Sequence, residues 1–595
     1  MGLRESPYAS RFLGGLDAVV SSFLFPSYWL VSQLLALQQT TAEKQRQPCP
    51  LHALWVLLAG PLLLLPLLLL APCSLLAFLV WLPLQAARRP FAYQHTPSPC
   101  PPQPCLLPGQ GKAFAFVSAN VCLLPDGLAK FSNLAQTQQR AQHIAQRLAR
   151  AAQRPAPLQE PHARGAPSKQ KYGATDSSPL GACRSPPPGD HRHVAVQMAL
   201  DGGGEITAVF PPHADFLCLQ EVFDSQASAR LRRLLSPHYA HILYDVGLTG
   251  LLGCSALKLL NSGLFLASRY PLLAVHYHCY PNGSGEDAFC AKGLLCVQVQ
   301  LGASQGQRIV GYLNCTHLHA PEADAQIRSD QLTLGLHWAQ LFQDANQQPG
   351  DIVAFDVYCG DLNFDTCSPD DAMEQNHEIF TLYTDPCRLG PRKDKPWAIG
   401  TLMNYLEIYS EAVSTPEKMK RALEQAEGRR KYLAGPILAN GAPDLSGPRG
   451  EGRRIDYILY REHPGPAELT TTVEKVSFIT QLATCSDHLP MGLRLLVTSV
   501  AKPEEIDFVT IIQTRPALQA PKGPTMALHP AGTPAVPLAA VQELCCASRS
   551  AKASAFQQPF RRGVQNKGLP LGTILLSQPQ RALVGESRAC YKPCR

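Results

Sequence analysis

Five short stretches of this 595-residue chain end an apolar run on groups suited to phosphate chemistry: Asn120 in "FVSAN", Glu221 in "DFLCLQEV", His317 in "LNCTHLHA", Asp361 and Asn363 in "VYCGDLNFD", and Asp487 with His488 in "TCSDHLP". Glu221 is a hard oxygen ligand of the kind Mg2+ takes, one or two carboxylates completed by water and substrate oxygens. The Asn120 amide can donate to a phosphate oxygen. Asp361 and Asn363 lie two apart, so on an extended chain their side chains face the same way, a carboxylate able to orient water beside an amide able to bind a phosphoryl oxygen. Asp487 directly precedes His488, and a carboxylate near an imidazole holds its ring and favours its charged form, as a general base requires. His317 supplies a second imidazole for the departing group. Each could contribute about 10²–10⁴ in rate while a divalent ion stabilises phosphoryl charge. Singly, each residue has a plainer reading as a turn Asn, a surface Glu or a core His; together they point to phosphoryl chemistry.

The elements that must position these groups are strand-like. From 194 to 498, runs such as "DFLCLQEV", "GLFLASRY", "GLLCVQVQL", "RIVGYLNCTH", "DIVAFDVYCGDL", "RRIDYILY" and "MGLRLLV" recur with helical stretches between them, and "GKAFAFVSANVCLLP" with the amphipathic "LAKFSNLAQTQQRAQHIAQRLARAA" opens the same texture at 111–150. Polar residues at strand ends in such a mixture predict a large α/β domain of packed sheets. Residues 151–193, rich in Pro, Gly, Ser and charge, read as a flexible linker insertion, and residues 499–595 as a disordered C-terminal extension. With 53 Pro and 43 Gly, part of the chain is expected to lie outside packed structure.

Residues 1–95 hold two apolar segments, 12–37, interrupted by Asp17 and Pro26, and 53–84, which carries no charge. As one helix the second would be roughly 48 Å long, beyond a hydrocarbon core of about 30 Å, so it must tilt, break or double back, with Pro61, Pro66, Pro72 and Pro83 as break points. Basic residues on every flank (Arg4, Arg11, Lys44, Arg46, Arg88, Arg89) favour re-entrant or in-plane insertion from one side over a two-span hairpin. Asp17 and the lack of a small-residue cleavage site argue against a signal peptide. A net charge of +7 and a pI near 8.5 suit an anionic surface without selecting one. Nucleic acid is disfavoured, since the chain's most distinctive feature is apolar rather than a basic groove with stacking aromatics.

The 20 Cys have no zinc-finger spacing, and Cys218, Cys315 and Cys359 sit in apolar runs near candidate site residues, so mostly reduced, buried thiols are expected. Cys254, Cys545 and Cys546 are candidate palmitoylation positions. Asn314-Cys315-Thr316 is formally a glycosylation acceptor, as is Asn282 in "PNGSG". Its overlap with "THLHA" makes loop and active site competing readings of one strand end, and a glycan three residues from the chemistry would not fit.

In order, Asn, Glu, His, Asp-x-Asn and Asp-His, carried by "LQEVFD", "THLHA", "GDLNFD", "RRIDYIL" and "SDHLP", resemble the metal-dependent superfamily of pancreatic deoxyribonuclease, abasic-site endonucleases, inositol-phosphate 5-phosphatases and neutral sphingomyelinases. The stretches "QAARRPFAY", "ANVCLLPDGLAKFSN", "LNSGLFLASRYP", "DPCRLGPRKDKPWAIGTL" and "SFITQL" narrow the resemblance to membrane-bound neutral sphingomyelinases, over about residues 10–150 and 194–498. It implies a four-layer α/β sandwich, Mg2+ with Mn2+ able to substitute, and hydrolysis of sphingomyelin to ceramide and phosphocholine. Carried over, Glu221 would bind the metal, Asn120 and Asn363 the phosphate, and Asp361 would orient water. His488 would be the base, His317 the leaving-group partner, and Asp456 a brace. "EDAFCAKG" keeps the spacing of a gating pair, Asp287 and Lys292, the latter near the phosphate. Arg88 and Arg89 would contact activating anionic phospholipids. The resemblance also implies a catalytic domain facing the cytosol on a mitochondrial or endoplasmic reticulum membrane. The alternatives are an inositol phospholipid 5-phosphatase of the same superfamily and a catalytically silent membrane scaffold.

Overall fold

The computed structural model describes residues 3–40, 43, 50–97, 102, 104, 111–154, 203–251, 257–304, 306–438, 444, 451–462 and 469–499. The expected C-terminal extension lies outside them but for its first residue, as do Cys254, Cys545 and Cys546. The strands, in chain order, are β1 (Ala92–His95), β2 (Lys112–Leu123), β3 (Gly204–Thr207), β4 (Phe216–Val222), β5 (His241–Tyr244), β6 (Phe265–Ser268), β7 (Leu272–Cys279), β8 (Gly293–Ser304), β9 (Gln307–His317), β10 (Ile352–Asp361), β11 (Arg388–Gly390), β12 (Lys393–Asp394), β13 (Asp456–Arg461), β14 (Leu469–Ile479) and β15 (Met491–Ser499). Eight form one sheet, in the order β1-β5-β6-β4-β2-β15-β14-β3; five form a second, β13-β10-β9-β8-β7; β11 and β12 make a small separate hairpin.

The continuous apolar strands follow from burial on both faces. In β4, Phe216 and Cys218 enter the core between the sheets, while Leu217 and Leu219 face outward into a second core beneath helices Thr137–Gln153 and Ser225–Leu235. Ala141, Ile144, Ala145 and Leu148 set the inner stripe of the first helix at 3.6-residue spacing. Asp224 starts the second by accepting from the Ala227 amide at 2.8 Å. Across the molecule, helix Ala325–Asn346 buries Leu332, Leu336 and Phe342 against Val310, Tyr312 and Tyr358 of the smaller sheet. The layers are therefore helix, sheet, sheet, helix. The expected linker boundary at 151 falls inside helix Thr137–Gln153, because Leu148 and Ala151 keep its stripe buried; residues 155–202, most of the linker, lie outside the described residues.

Both apolar segments are helical, Arg11–Ala36 and Pro50–Ala86, and they pack antiparallel, with Ser27 and Ser74 hydrogen-bonded at 2.6 Å and Gln85 Nε2 3.4 Å from Asp17. The second helix neither breaks nor doubles back. It runs unbroken through Pro61, Pro66, Pro72 and Pro83, since each proline forfeits one backbone bond and the flanking turns survive. Its outer residues, Leu62 and Leu69 among them, are exposed. The first helix is fastened to the sandwich near both ends. Tyr93 N–H of β1 donates to Glu5 O at 3.3 Å ahead of its start, Tyr28 Oη lies 3.3 Å from Asp224, and Lys130 Nζ reaches Gln38 O at 2.8 Å beyond its end. Ten cysteines among the described residues are free thiols, as expected, and Cys279 is disulfide-bonded.

Phe355 of β10 packs between the sheets with ring centroids 5.1, 4.9 and 5.5 Å from Phe114, Phe116 and Phe216. Phe355→Ala is expected to lower unfolding stability by about 3–5 kcal/mol through the cavity it leaves. Denaturant unfolding of the detergent-solubilised chain measures it, and a loss below about 1 kcal/mol would contradict a shared inter-sheet core.

Candidate active site

The polar groups gather where strands of the two sheets end together. β9 and β10 are parallel and place His317 opposite Asp361; β13 is antiparallel to β10 and begins with Asp456, also opposite Asp361. In the other sheet β2 and β4 are parallel, with Asn120 beside Gln220, and β15 begins three residues after His488. Strand alternation alone would send Glu221 away from Gln220, out of the site. A register shift after Asn120 and left-handed backbone at Cys122 (φ 45°) and Glu221 (φ 60°) turn the carboxylate back. Gly263 (φ 71°) leaves room for this, because a Cβ there would press on the Glu221 backbone and the Phe223 ring.

Asp361 is the hub. Its Oδ2 accepts from Asn120 Nδ2 at 2.9 Å and lies 3.6 Å from His317 Nε2 and 3.9 Å from His488 Nε2. Asn120 Nδ2 also donates to Glu221 Oε1 at 2.9 Å, while its Oδ1 accepts from the Cys122 amide. His488 Nδ1 meets Asp456 Oδ2 at 2.8 Å. Burial raises the Asp361 carboxyl to about 6, and burial together with the nearby Asp487 charge raises Glu221 to about 7. The imidazoles are driven apart. Burial and the Lys292 ammonium hold His317 well below its ordinary range, whereas at His488 the opposing burial is overcome by the Asp456 and Asp361 charges, which hold it well above.

These donors fit a hard divalent cation. One ligand atom each from Glu221, His317 and Asp361 lies within 4.8 Å of the others, and the same holds for Asp361, Asp456 and His488. Asp456 Oδ1, Asp487 Oδ1 and His317 Nδ1 are buried without a hydrogen-bond partner, and burial above all holds the Asp361 and Glu221 carboxyls at about 6 and 7. A cation held by carboxylate oxygens would offset the cost of burying these carboxylates.

Several expectations change in three dimensions. The carboxylate on the His488 ring is Asp456, thirty-two residues away in sequence, and not the adjacent Asp487. Asp487 stands at a bend, from which its charge acts on Glu221. Both donors of the Asn120 amide are engaged by Glu221 and Asp361, so Asn120 braces those carboxylates and has no free N–H for phosphate. Asn363 is past the end of β10 in left-handed backbone (φ 55°), not extended; its amide N–H meets Asp361 Oδ1 at 3.0 Å and its Nδ2 the Leu318 carbonyl at 3.1 Å. Asp287 and Lys292 are ion-paired at 2.8 Å, and Lys292 Nζ reaches His317 Nε2 at 3.2 Å and Leu318 O at 2.9 Å.

Arg88 is buried, ion-paired to Asp245 and donating to the Gly247 carbonyl at 3.2 Å, so its charge ties the second apolar helix to a loop and does not face lipid. Arg89 is half-buried, over the Phe91 ring at 4.2 Å. Asn314 is buried with Nδ2 on Asp356 at 3.0 Å, in the middle of β9, where a glycan cannot stand. Asn282 is half-buried and donates to Ile327 O. His319 escaped notice in the sequence although it stands in the same "THLHA"; its ring lies 3.3 Å from Asp287 and 2.8 Å from Asp324, fixing the loop that carries Lys292. Two imidazoles in one strand exit were the available signal.

A four-layer sandwich that collects carboxylates, an amide and two oppositely tuned imidazoles at one strand edge has the makings of a phosphoesterase. The Endonuclease/Exonuclease/phosphatase family matches residues 184–488, and the neutral sphingomyelinase N-terminal transmembrane region matches residues 12–87. Sphingomyelin phosphodiesterase 5 from Danio rerio is 42% identical over 545 residues, covering 84% of this chain and 99% of the relative. Sphingomyelin phosphodiesterase 3 from Rattus norvegicus is 36% identical over 652 residues, covering 84% and 99%. The crystal structure of sphingomyelinase C from Streptomyces griseocarneus aligns at TM-score 0.33 and 16% identity, over 64% of this chain and 99% of that one. The chain belongs to the sphingomyelin phosphodiesterase family. Its two exposed apolar helices and the match over 12–87 make it membrane-associated.

Asp456→Asn is expected to lower turnover by about 10²-fold or more and to move the His488 titration down, with a smaller shift in Asp487→Asn; imidazole NMR on the two variants reads this. Equal shifts would mean that the ring is not held by Asp456. Asn314→Gln should leave electrophoretic mobility unchanged with and without glycosidase, and a mobility change would place β9 on a glycosylated surface.

Proposed function

We propose that the chain is a Mg2+-dependent neutral sphingomyelinase, hydrolysing the phosphodiester of sphingomyelin at a membrane surface to ceramide and phosphocholine. The observation that carries this reading is the joining, in one folded unit, of the Asp361-centred cluster to an apolar helical hairpin. Glu221, with Asp361 beside it, is the ligand set for Mg2+, and Mn2+ suits the same oxygens. When bound there the ion supplies positive charge to the phosphoryl oxygens and offsets the carboxylate field that raises His488.

The chain's own residues supply the rest. Asp456 holds His488 with Nε2 turned toward Asp361, and this imidazole takes the proton of the attacking water, which Asp361 orients. Asn120 ties Glu221 to Asp361 across the gap between the sheets. We assign the departing ceramide oxygen to the His317–Lys292 pair, 3.2 Å apart with His317 Nε2 3.6 Å from Asp361 Oδ2: the pair gives that oxygen its proton as the P–O bond breaks, and the Lys292 ammonium adds a charge for the phosphate. Asp287, tied to Lys292, sets when that charge is available.

The fastening of the first apolar helix near both ends supports in-plane or re-entrant insertion, since a helix that crossed the bilayer would carry one attachment to the far side. One-sided insertion keeps the catalytic sandwich on a single face of the membrane, which we take to be the cytosolic face of a mitochondrial or endoplasmic reticulum membrane. Activation by anionic phospholipids then falls to half-buried Arg89, because Arg88 is committed to Asp245. The test is the purified full-length chain with vesicles of sphingomyelin, or of phosphoinositide, with and without Mg2+ and anionic lipid. Phosphocholine release that needs Mg2+ and falls by about 10²–10⁴ in His488→Ala is expected. Phosphate release from phosphoinositide instead would favour the phosphatase reading, and release surviving His488→Ala, or none with either lipid, would remove the enzyme assignment.

A further inference from the structure

One layer beneath the site, three thiols converge. Cys218 of β4, Cys315 of β9 and Cys359 of β10 each stand two residues before a site-lining group (Gln220, His317 and Asp361), so the strand period puts them on the same inner faces, one step deeper. Cys315 and Cys359 are direct register partners across the parallel β9–β10 pair, and Cys218 meets them from the opposite sheet. Their sulfurs all lie within 4.8 Å of one another, and they form the one all-thiol group of three among the described residues. All three are buried, at 2, 0 and 2% exposure. Three sulfurs each about 2.3 Å from a common centre would be about 4 Å apart, within that limit. Gln220 adds a polar neighbour: its Nε2, which donates to Cys218 O at 3.2 Å and Ser118 Oγ at 3.3 Å, also lies 3.6 Å from Cys315 Sγ, in a fully buried amide whose Oε1 has no partner. An N–H directed at sulfur stabilises charge on a thiolate, as second-layer donors do around metal-bound thiolates.

We propose that Cys218, Cys315 and Cys359 bind one thiophilic d10 cation, Zn2+ or Cu+, that joins the two sheets beneath the active site. Binding exchanges three S–H bonds for three metal–sulfur bonds, releases the three protons to solvent and changes no oxidation state. The cation differs in kind from the one proposed above it, since soft thiolates select Zn2+ and Cu+ and carboxylate oxygens select Mg2+. Its role is mechanical. It holds β4, which carries Glu221, at a set distance from β9 and β10, which carry His317 and Asp361.

The proposal is read without assaying activity. Elemental analysis of the full-length chain, purified in detergent and dialysed against a chelator that strips exposed ions, should find one equivalent of zinc or of copper, and the element found separates the two. Cd2+ added to the reduced, metal-free chain should produce thiolate-to-metal absorption saturating at one equivalent, unaffected by excess Mg2+ and retained in Glu221→Gln. Cys218→Ala, Cys315→Ala and Cys359→Ala should each abolish it, and removing the native metal should lower the melting temperature. Should a variant fail to fold, cadmium NMR of the unmutated chain decides, a three-sulfur environment supporting the site and an oxygen- or nitrogen-dominated one overturning it. Absence of metal and of Cd2+ absorption, or absorption surviving all three substitutions, would also overturn it.

Discussion

The buried carboxylate of Asp361 is the constraint on which the rest of the site depends. A charged carboxyl among apolar side chains is costly unless it is hydrogen-bonded and paired, and the neighbouring strands supply what it requires. Asn120 donates to it across the sheets, His317 and His488 approach it from two sides, and Asp456 sits in register beside it, committed to the His488 ring. Groups that would each be unstable alone are held because each is part of another's compensation. The compensation stays incomplete at Glu221 and Asp361, whose carboxyls burial lifts to about 7 and about 6. A buried cluster in which the carboxylates Glu221, Asp361, Asp456 and Asp487 outnumber the cationic groups beside them has the charge balance that suits a cation.

The same economy governs the join between membrane segment and sandwich. The apolar helices leave most of their outer surface uncovered, yet three of the polar groups on or just beyond them face inward, Asp17 and Gln85 toward each other and Arg88 toward Asp245. Asp245 and Gly247 thereby hold the end of the helical hairpin through Arg88, and Gly263 accepts from the Val222 amide at 2.8 Å, next to Glu221. The substrate's surface and the reacting groups are linked by a few ion pairs and backbone bonds rather than by a free tether.

Much of the fold was legible because burial on both sides writes itself into composition. The apolar runs at β4, β8, β9, β10, β13 and β15, and the 3.6-residue stripe of helix Thr137–Gln153, are where the sequence places them. The site residues were legible one by one, since a polar group ending an apolar run is conspicuous. Their partners were not. The residue after Gln220 reads as turned away from the site until the left-handed backbone at Glu221 is seen. Asp487 reads as the partner of His488 because it is adjacent, and Arg88 reads as a membrane flank because Asp245 is 157 positions away.

The sequence by itself determined the kinds of group present, the layered α/β class, the apolar N-terminus and the improbability of a glycan at Asn314, since these follow from side-chain chemistry and from periods of 2 and 3.6. Only the tertiary structure decided which carboxylate holds His488, that Asn120 spends its donors on Glu221 and Asp361, that Arg88 is buried, that four prolines leave one helix intact, and that three thiols from two sheets share one spot. The reason is range. Periodicity and propensity act over a few residues, whereas hydrogen bonds and ion pairs are set by strand register and sheet stacking, which bring together positions tens to hundreds of residues apart.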